Sequence, residues 1–301
     1  MPDPILPGRV GLYVSMLHFG LTGYRDFARE HASFFKRLLV DEGSLAGKRV
    51  LDIGCGKSYW LSLLLAANGA QAIGVDTELV ETRRGLAKYK HILRANGAER
   101  ALRTAAWDIL FARGYYRELA SSVGCSLPHE KVALHVYDGS HLPLSDTSID
   151  LVVSHEVFEH ISDVPAVLAE MARVLRPGGR IYIYIHNFAS LSGGHHIAWK
   201  HPDTHPSRVV APWDHLRARR HADIPSWLNG LREHDYQAMF ARWFEIDEWR
   251  ATAEEGRSLL TAGIRGELAQ FSERELLTKG FLVRGTLRFA DKMHNAYGPH
   301  T

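Results

Sequence analysis

Apolar residues along this chain repeat alternately every three to four positions and every second position, so helices and strands follow one another. Between residues 10 and 45 the spacing is helical: GYRDFAREHASFFKRLLVDEG puts Phe27, His31, Phe34 and Phe35 on one face with charges between them. KRVLDIGCG then gives a short apolar strand ending in a tight turn, and YWLSLLLAANGA a helix stopped at Asn68-Gly69. QAIGVDTE predicts a second strand ending at Asp76, and LVETRRGLAKYKHILRANGA a helix closed by Asn96-Gly97. A third strand runs from Val132 to Tyr137, and IDLVVSH is a fourth. DVPAVLAEMARVLRPGG is a helix with Val167, Leu168, Met171, Val174 and Leu175 inward and Pro165 in its first turn. RIYIYIHN is a fifth strand, and FEIDEW and GFLVRGTLRFA are two last ones. Strict alternation implies right-handed crossovers, hence a doubly wound α/β fold whose mostly parallel sheet of seven strands is covered by helices on both faces.

Two stretches exceed what a minimal alternating fold needs. Residues 99–130 carry Leu102, Ala106, Ile109 and Leu110 at helical spacing, which predicts a helical insertion. Residues 187–225 are rich in His, Pro, Gly and Ser, and a loop that long in a compact domain points to function or disorder. Beyond it, Tyr236, Met239, Phe240, Trp243 and Phe244 recur as a core-packing helix. The last strands can complete the sheet begun at Val50, so one domain with insertions is expected over residues 1–301. Residues 1–45 would be a helical cap, 46–190 a ligand-binding core, and 191–301 a lid loop followed by completion of the sheet.

A net charge of +2 gives no global field toward nucleic acid or anionic membrane. No run of about 18 apolar residues is present to span a bilayer. MPDPILPGRV lacks the basic and apolar regions of a signal peptide, so a soluble cytoplasmic protein is the default expectation. Cys55 and Cys125 are the only cysteines and suggest neither a disulfide framework nor a thiolate metal site. Histidine is the compositional oddity, since ten of the 18 lie between His141 and His221.

Open α/β sheets bind ligands beyond the carboxyl ends of their strands, so the residues that end each strand carry the candidate chemistry. Gly54 and Gly56 flank Cys55 after the first strand, where backbone amides and a helix start face a ligand. Asp76 ends the second strand, 20 residues beyond Gly56, and suits the two ribose hydroxyls of an adenosine. Asp138, followed by Gly139, ends the third and could accept from an adenine amino group. A dinucleotide would want G-x-G-x-x-G, yet Tyr59 stands at the third glycine position. Asp52, two residues before the turn, repels a pyrophosphate but welcomes an ammonium group. S-adenosylmethionine carries an ammonium and a sulfonium, and these residues favour it.

In order and spacing, VLDIGCG, GVD, DGSHLPLSDTSIDLVVSHEVFEHISD and LRPGG resemble the motifs of class I S-adenosylmethionine-dependent methyltransferases across residues 48–186, the helical insertion apart. The resemblance implies a Rossmann-like fold, with the loop Asp52, Gly54, Cys55, Gly56 and Ser58 around the methionine part. It implies Asp76 and Thr77 at the ribose, Asp138 and Gly139 at the adenine, and Ser154 near the sulfonium. Glu159-His160 falls where the family often has this pair, which implies a scaffold or cofactor-shell role. The tail from LSGGHHIAW onward is similar to bacterial methyltransferases of uncertain substrate, some associated with glycans or secondary metabolites.

Methyl transfer from a sulfonium needs the acceptor desolvated and aimed, and a hydroxyl acceptor also needs a base. His155 after the fourth strand and His186 at the end of the fifth are candidates, each against the alternative of a structural histidine. Glu156 could orient an imidazole or cap the next helix. His195 and His196 lie in SGGHH, whose glycines would permit a lid or simply a solvated loop. His201, Asp203 and His205 alternate in HPDTH, which more often marks a polar loop than a metal site, and no metal is expected. HLRARRH is a basic run without interleaved aromatics, read as a solvated face or a contact for an anionic substrate. Tyr24 or Arg25 could approach the cofactor carboxylate, although a core-packing helix ranks ahead. Together these readings predict O-methylation of a small-molecule or sugar acceptor, assisted by a histidine base. The alternatives are an NAD(P)-dependent oxidoreductase and a non-catalytic S-adenosylmethionine-binding protein. Acceptor identity and oligomeric state stay open.

Overall fold

The computed structural model describes residues 8–82, 85–200, 202–204, 206–218, 220 and 226–288, with side chains from Gly23 onward. His201, His205 and His221 lie outside the described residues, as do residues 1–7, 222–225 and 289–301. In chain order the elements are α1 (Gly8–Glu42), β1 (Arg49–Ile53), α2 (Trp60–Ala67), β2 (Gln71–Asp76), α3 (Leu86–Trp107), α4 (Arg113–Val123), β3 (Ala133–Val136) and β4 (Ile149–His155). There follow α5 (Val164–Val174), β5 (Leu175–His186), α6 (Glu233–Trp243), β6 (Phe244–Ala251), α7 (Ala262–Glu267), α8 (Glu273–Leu277) and β7 (Gly280–Leu287).

The seven strands form one sheet in the order β3-β2-β1-β4-β5-β7-β6. β1 to β5 run parallel, and β7 enters antiparallel between β5 and β6. Strand order reverses between β1 and β4, which opens a crevice at their carboxyl ends.

Alternate residues of the central strands feed two cores, one on each face. Val50, Leu151, Val153, Tyr182 and Tyr184 join α1, α2 and α4 in the first. Leu51, Val152, Ile181, Ile183 and Ile185 join α5 and α6 in the second. The period of two therefore buries both faces of every central strand, as a doubly wound sheet requires. Asp163 caps α5 by accepting from the Ala166 N–H at 3.0 Å, with proline in the first turn.

Three local expectations change. The helix after β2 starts at Leu86 rather than near Leu79, because residues 79–82 run without regular structure and Leu79 is pinned to Asn96 by a reciprocal pair of hydrogen bonds. The insertion is helical, but α3 breaks at Gly97 (φ 83°) and passes through one π-helical turn, Asp108–Ala112, before α4. Its apolar stripe also faces outward: Leu102 is 71 % and Ile109 76 % exposed, while Thr104, Phe111 and Tyr115 are buried. Finally, the described part of the segment after β5 is not a loose loop. Leu191, Trp199, Val210 and Trp213 form a third core with Leu260, Ile264, Leu276 and Leu277 of the region before β7. Trp213 is fully buried, and its Nε1–H donates to the Leu276 carbonyl at 3.2 Å.

Candidate functional site

The turn after β1 is built by contact with β2 and with the loop after β4. The Gly54 and Cys55 N–H groups donate to the Val75 carbonyl, at 2.8 and 3.0 Å. The Gly56 N–H donates to Asp76 Oδ2 at 2.9 Å. These three amides therefore brace the turn instead of pointing at a ligand. Gly54 has φ +74°, and a Cβ there would lie 2.3 Å from a Val157 methyl, so only glycine fits. At Gly56 and Gly139, by contrast, a Cβ would meet nothing within 4 Å, so the strand ends face open space.

Asp52 is 2 % exposed and lies beneath the turn. Its Oδ2 accepts from both the N–H (3.1 Å) and the Oγ–H (2.6 Å) of Ser62, in the first turn of α2. A carboxylate thus already occupies the start of that helix, where a pyrophosphate would otherwise bind. Burial pushes its carboxyl up to about 7 against the pull of the Ser62 hydrogen bonds.

Each Asp76 oxygen accepts one backbone N–H, from Gly56 and from Glu78, which leaves a second lone pair on each for a ribose diol. Asp138 is folded onto Ser140, accepting from its N–H and its hydroxyl, and these bonds hold its carboxyl below the usual carboxylate range. Cys55 is buried and its thiol is held protonated by burial. The Ser154 hydroxyl donates to the Ile53 carbonyl at 2.9 Å and ties β4 to β1. Ser58 is half-buried and Thr77 exposed. The three strand ends β3-β2-β1 thus gather Asp138, Asp76 and the glycine turn on one side of the crevice, with Ser154 next to it on β4.

The sequence reading missed Lys57, whose only signal was a cation directly after Gly56. Its ammonium lies over the Trp107 ring, 5.1 Å from the centroid. Burial first, then Arg103 and Arg100, lowers its pKa to about 8, so the neighbourhood suits an anion.

Beyond His155 a cavity of about 650 Å³ opens between α1 and the β4-β5-β7-β6 half of the sheet. His31 and Phe34 of α1, His155, Glu156 and Tyr184 line one end, with Lys200 and Lys279 nearby. The His155 ring is boxed by Phe34 (4.5 Å between centroids), Tyr184 (4.9 Å), Trp60 (5.3 Å) and His31 (5.7 Å). Burial lowers the pKa of both His155 and His31 and keeps each imidazole neutral. Burial alone would raise Glu156; with both neighbouring imidazoles neutral, the Lys200 ammonium is the standing charge that favours its carboxylate, and a proton arriving on His155 or His186 would be stabilised by it in turn. Of the α1 face, Phe27, His31 and Phe34 line this cavity, whereas Tyr24 packs against Gly114.

The other histidines form a second group behind Glu156. His186 is buried, with Nδ1 3.7 Å from Glu156 and Nε2 2.8 Å from the Ser192 hydroxyl, which donates in turn to Glu255. Burial drives its pKa down to about 3. His195 stacks on His186 at 4.7 Å, and burial followed by His160 takes its pKa to about 4. His196 accepts from the Ala198 N–H through Nδ1 at 3.1 Å. Asp203 accepts from the Gly256 N–H at 3.0 Å, while its two histidine neighbours in HPDTH lie outside the described residues. Of the basic run, Arg217 is paired with Glu267.

The chain's sequence is matched by known proteins. The family profile described as methyltransferase domain fits residues 24–221. The chain belongs to that family. Its class I members use S-adenosylmethionine, which is the cofactor of this domain, and the dinucleotide alternative falls with that membership. A protein described as a probable S-adenosylmethionine-dependent methyltransferase from Mycolicibacterium smegmatis is 26 % identical over 193 residues, covering 64 % of this chain and 58 % of that one. A ubiquinone biosynthesis O-methyltransferase from Idiomarina loihiensis is 27 % identical over 196 residues, 62 % of this chain and 66 % of that one. A chloroplastic tocopherol O-methyltransferase from Arabidopsis thaliana is 29 % identical over 208 residues, 66 % and 47 %. The chain therefore spans less than two thirds of the length of these relatives. No helix among the described residues is long and apolar enough to cross a membrane.

Proposed function

We propose that this protein methylates a hydroxyl of a small-molecule or glycan acceptor held in the cavity at His155. The observation that carries the reading is the position of that cavity: it begins where β4 ends, beside the cofactor-side turn of β1, and a neutral imidazole stands at its inner end. When bound, S-adenosylmethionine supplies an electrophilic methyl group on its sulfonium. Asp76 would hold the ribose, Asp138 the adenine edge, and Asp52 the ammonium end, with Lys57 the nearest cation for the carboxylate.

The chain's own work is then on the acceptor. Phe34, Tyr184 and Trp60 exclude water around His155 and confine its ring. The imidazole takes the hydroxyl proton as the oxygen becomes nucleophilic, and the Glu156 carboxylate beside it favours the imidazolium that results. His186 acts behind Glu156, since its Nε2 meets Ser192 and it does not line the cavity. Two of the relatives named above, both O-methyltransferases, support a hydroxyl acceptor.

Incubating the purified protein with methyl-labelled cofactor and pooled metabolite and oligosaccharide acceptors, then locating the label by mass spectrometry, tests this. His155→Ala should lower turnover about 100-fold or more with cofactor affinity within a few-fold of wild type. Label on nitrogen, or a wild-type rate in that variant, defeats the hydroxyl-and-base reading.

A further inference from the structure

Behind Glu156, and outside the cavity, three side chains converge without satisfying one another. Glu159 is 1 % exposed, and neither of its carboxylate oxygens has a partner at full hydrogen-bond geometry, the backbone N–H groups of Glu159 and His186 being the donors that face it. His195 Nε2 is equally buried and unpartnered, 3.7 Å from Glu159 Oε1. The His160 ring meets the His195 ring edge-on at 4.9 Å. One potential ligand atom from each of the three lies within 4.8 Å of the others.

Burying polar atoms without partners is costly, and native proteins rarely do it. A proton on Glu159 would not resolve the deficit. At 3.7 Å its hydroxyl falls short of His195 Nε2, which would stay unpartnered. We propose that Glu159, His160 and His195 form the binding site of one divalent transition-metal ion. Two imidazoles and one carboxylate make the donor set of an open site for zinc, manganese or iron, with coordination positions left for water or a ligand. A tetrahedral ion about 2.1 Å from each donor spaces them about 3.4 Å apart, so the 3.7 Å pair needs almost no adjustment.

The surroundings are built as outer shells of metal sites are. His160 Nδ1 lies 3.0 Å from the Trp227 carbonyl, which fixes the proton there and turns the Nε2 lone pair free. The Asn229 side-chain amide donates to the carbonyls of Phe158 and Ile161, and its backbone N–H to that of Glu159, so the turn bearing Glu159 and His160 is clamped. His195 is held from the other side in a left-handed conformation (φ 55°) after two close-packed glycines. The Glu159-His160 pair thereby has a role beyond scaffolding, and the site is independent of which acceptor is methylated.

The test uses the whole protein stripped with a chelator, then titrated calorimetrically with ZnCl₂, MnCl₂ and MgCl₂, with metal content read by elemental mass spectrometry. One equivalent of zinc or manganese per chain is expected, with magnesium weaker because imidazole suits it poorly. Cobalt should give visible absorption bands of a histidine-ligated ion. Glu159→Gln and His195→Ala should weaken binding more than the ~10–100-fold that loss of an outer-shell partner costs, and His141→Ala should leave it unchanged. Should the buried Glu159 variant fail to fold, His160→Asn gives the same reading. A folded wild-type protein that binds none of these ions, or equal affinity in the ligand variants, overturns the site.

Discussion

Asp52 is the residue on which the proposed binding of the cofactor ammonium and stability would oppose each other. With its pKa raised from 3.8 to about 7 by burial, the folded protein holds a proton that the unfolded chain releases. Below pH 3.8 both states are protonated and nothing is lost. From there to about 7 the native state loses stability steadily, and above 7 the whole penalty, about 4 kcal/mol as an upper figure, is in place. The cofactor-free protein should therefore melt at lower temperature at pH 8 than at pH 5 as far as this group decides it. Asp52→Asn keeps an acceptor for Ser62 and should flatten that dependence while raising the melting temperature at pH 8. The same variant should bind S-adenosylmethionine more weakly, and wild-type affinity should fall as the pH drops below about 7. Calorimetry across that range would reject the ammonium assignment if affinity neither fell with pH nor changed in the variant.

At the scale of elements, strands and capped helices were legible because their burial is periodic and local: β1, β2, β5 and β4 from Leu151 onward alternate between two cores, with an irregularity between Ile149 and Leu151. The carboxylate ending β2 was legible for the same reason, since a strand's last residue is a position in sequence; β3 stops at Val136, one residue short of the expected Tyr137, so Asp138 lies just past the strand. The outward stripe of α3 and the packing of the segment after β5 were not, because both depend on partners far along the chain. The glycines of SGGHH illustrate the difference. They read as hinges, yet a Cβ on Gly193 would lie 2.3 Å from the Phe188 carbonyl oxygen and 2.4 Å from that of Asn187. On Gly194 it would meet the His215 ring at 2.7 Å. These residues are small so that the chain can fold back on itself and deliver His195, a reason no local pattern encodes. Gly193→Ala should destabilise the protein by about 1–3 kcal/mol, since backbone atoms must move. Gly266→Ala in α7, where a Cβ meets nothing within 4 Å, should be neutral or stabilise by a few tenths to 1 kcal/mol. Paired denaturant curves check this, and equal effects of the two substitutions would restore the hinge reading.

For the whole molecule, the decisive arrangement is that α1 walls the cavity at His155, the proposed acceptor site, while β1 to β3 carry the residues proposed to hold the cofactor. The helix is anchored at its carboxyl end by charge: the buried Glu42 carboxylate accepts from Arg180 Nε at 2.7 Å and Arg284 Nε at 3.0 Å. Arg284 also donates to the Asp41 carbonyl, and the Tyr182 hydroxyl to the Asp41 carboxylate at 2.9 Å. One end of α1 is thus locked onto β5 and β7, with Phe27, His31 and Phe34 two to four turns back along the cavity wall. At that end the helix meets Lys200 through Glu30, at 3.5 Å, and through the Phe27 ring, whose centroid lies 3.8 Å from the ammonium. Because Arg180 and Arg284 retain Asp247 and Glu248 as second partners, losing Glu42 should cost less than a fully stranded buried pair, about 1–3 kcal/mol. Glu42→Gln should accordingly loosen α1 at its root without touching the glycine turn. The acceptor KM should rise several-fold more than the cofactor Kd, because only the acceptor depends on α1 for a wall of its site. Steady-state kinetics with the acceptor found by labelling, set beside cofactor calorimetry, separates the two. Equal weakening of both ligands would mean that α1 supports the entire crevice and that the division of labour across the sheet is wrong.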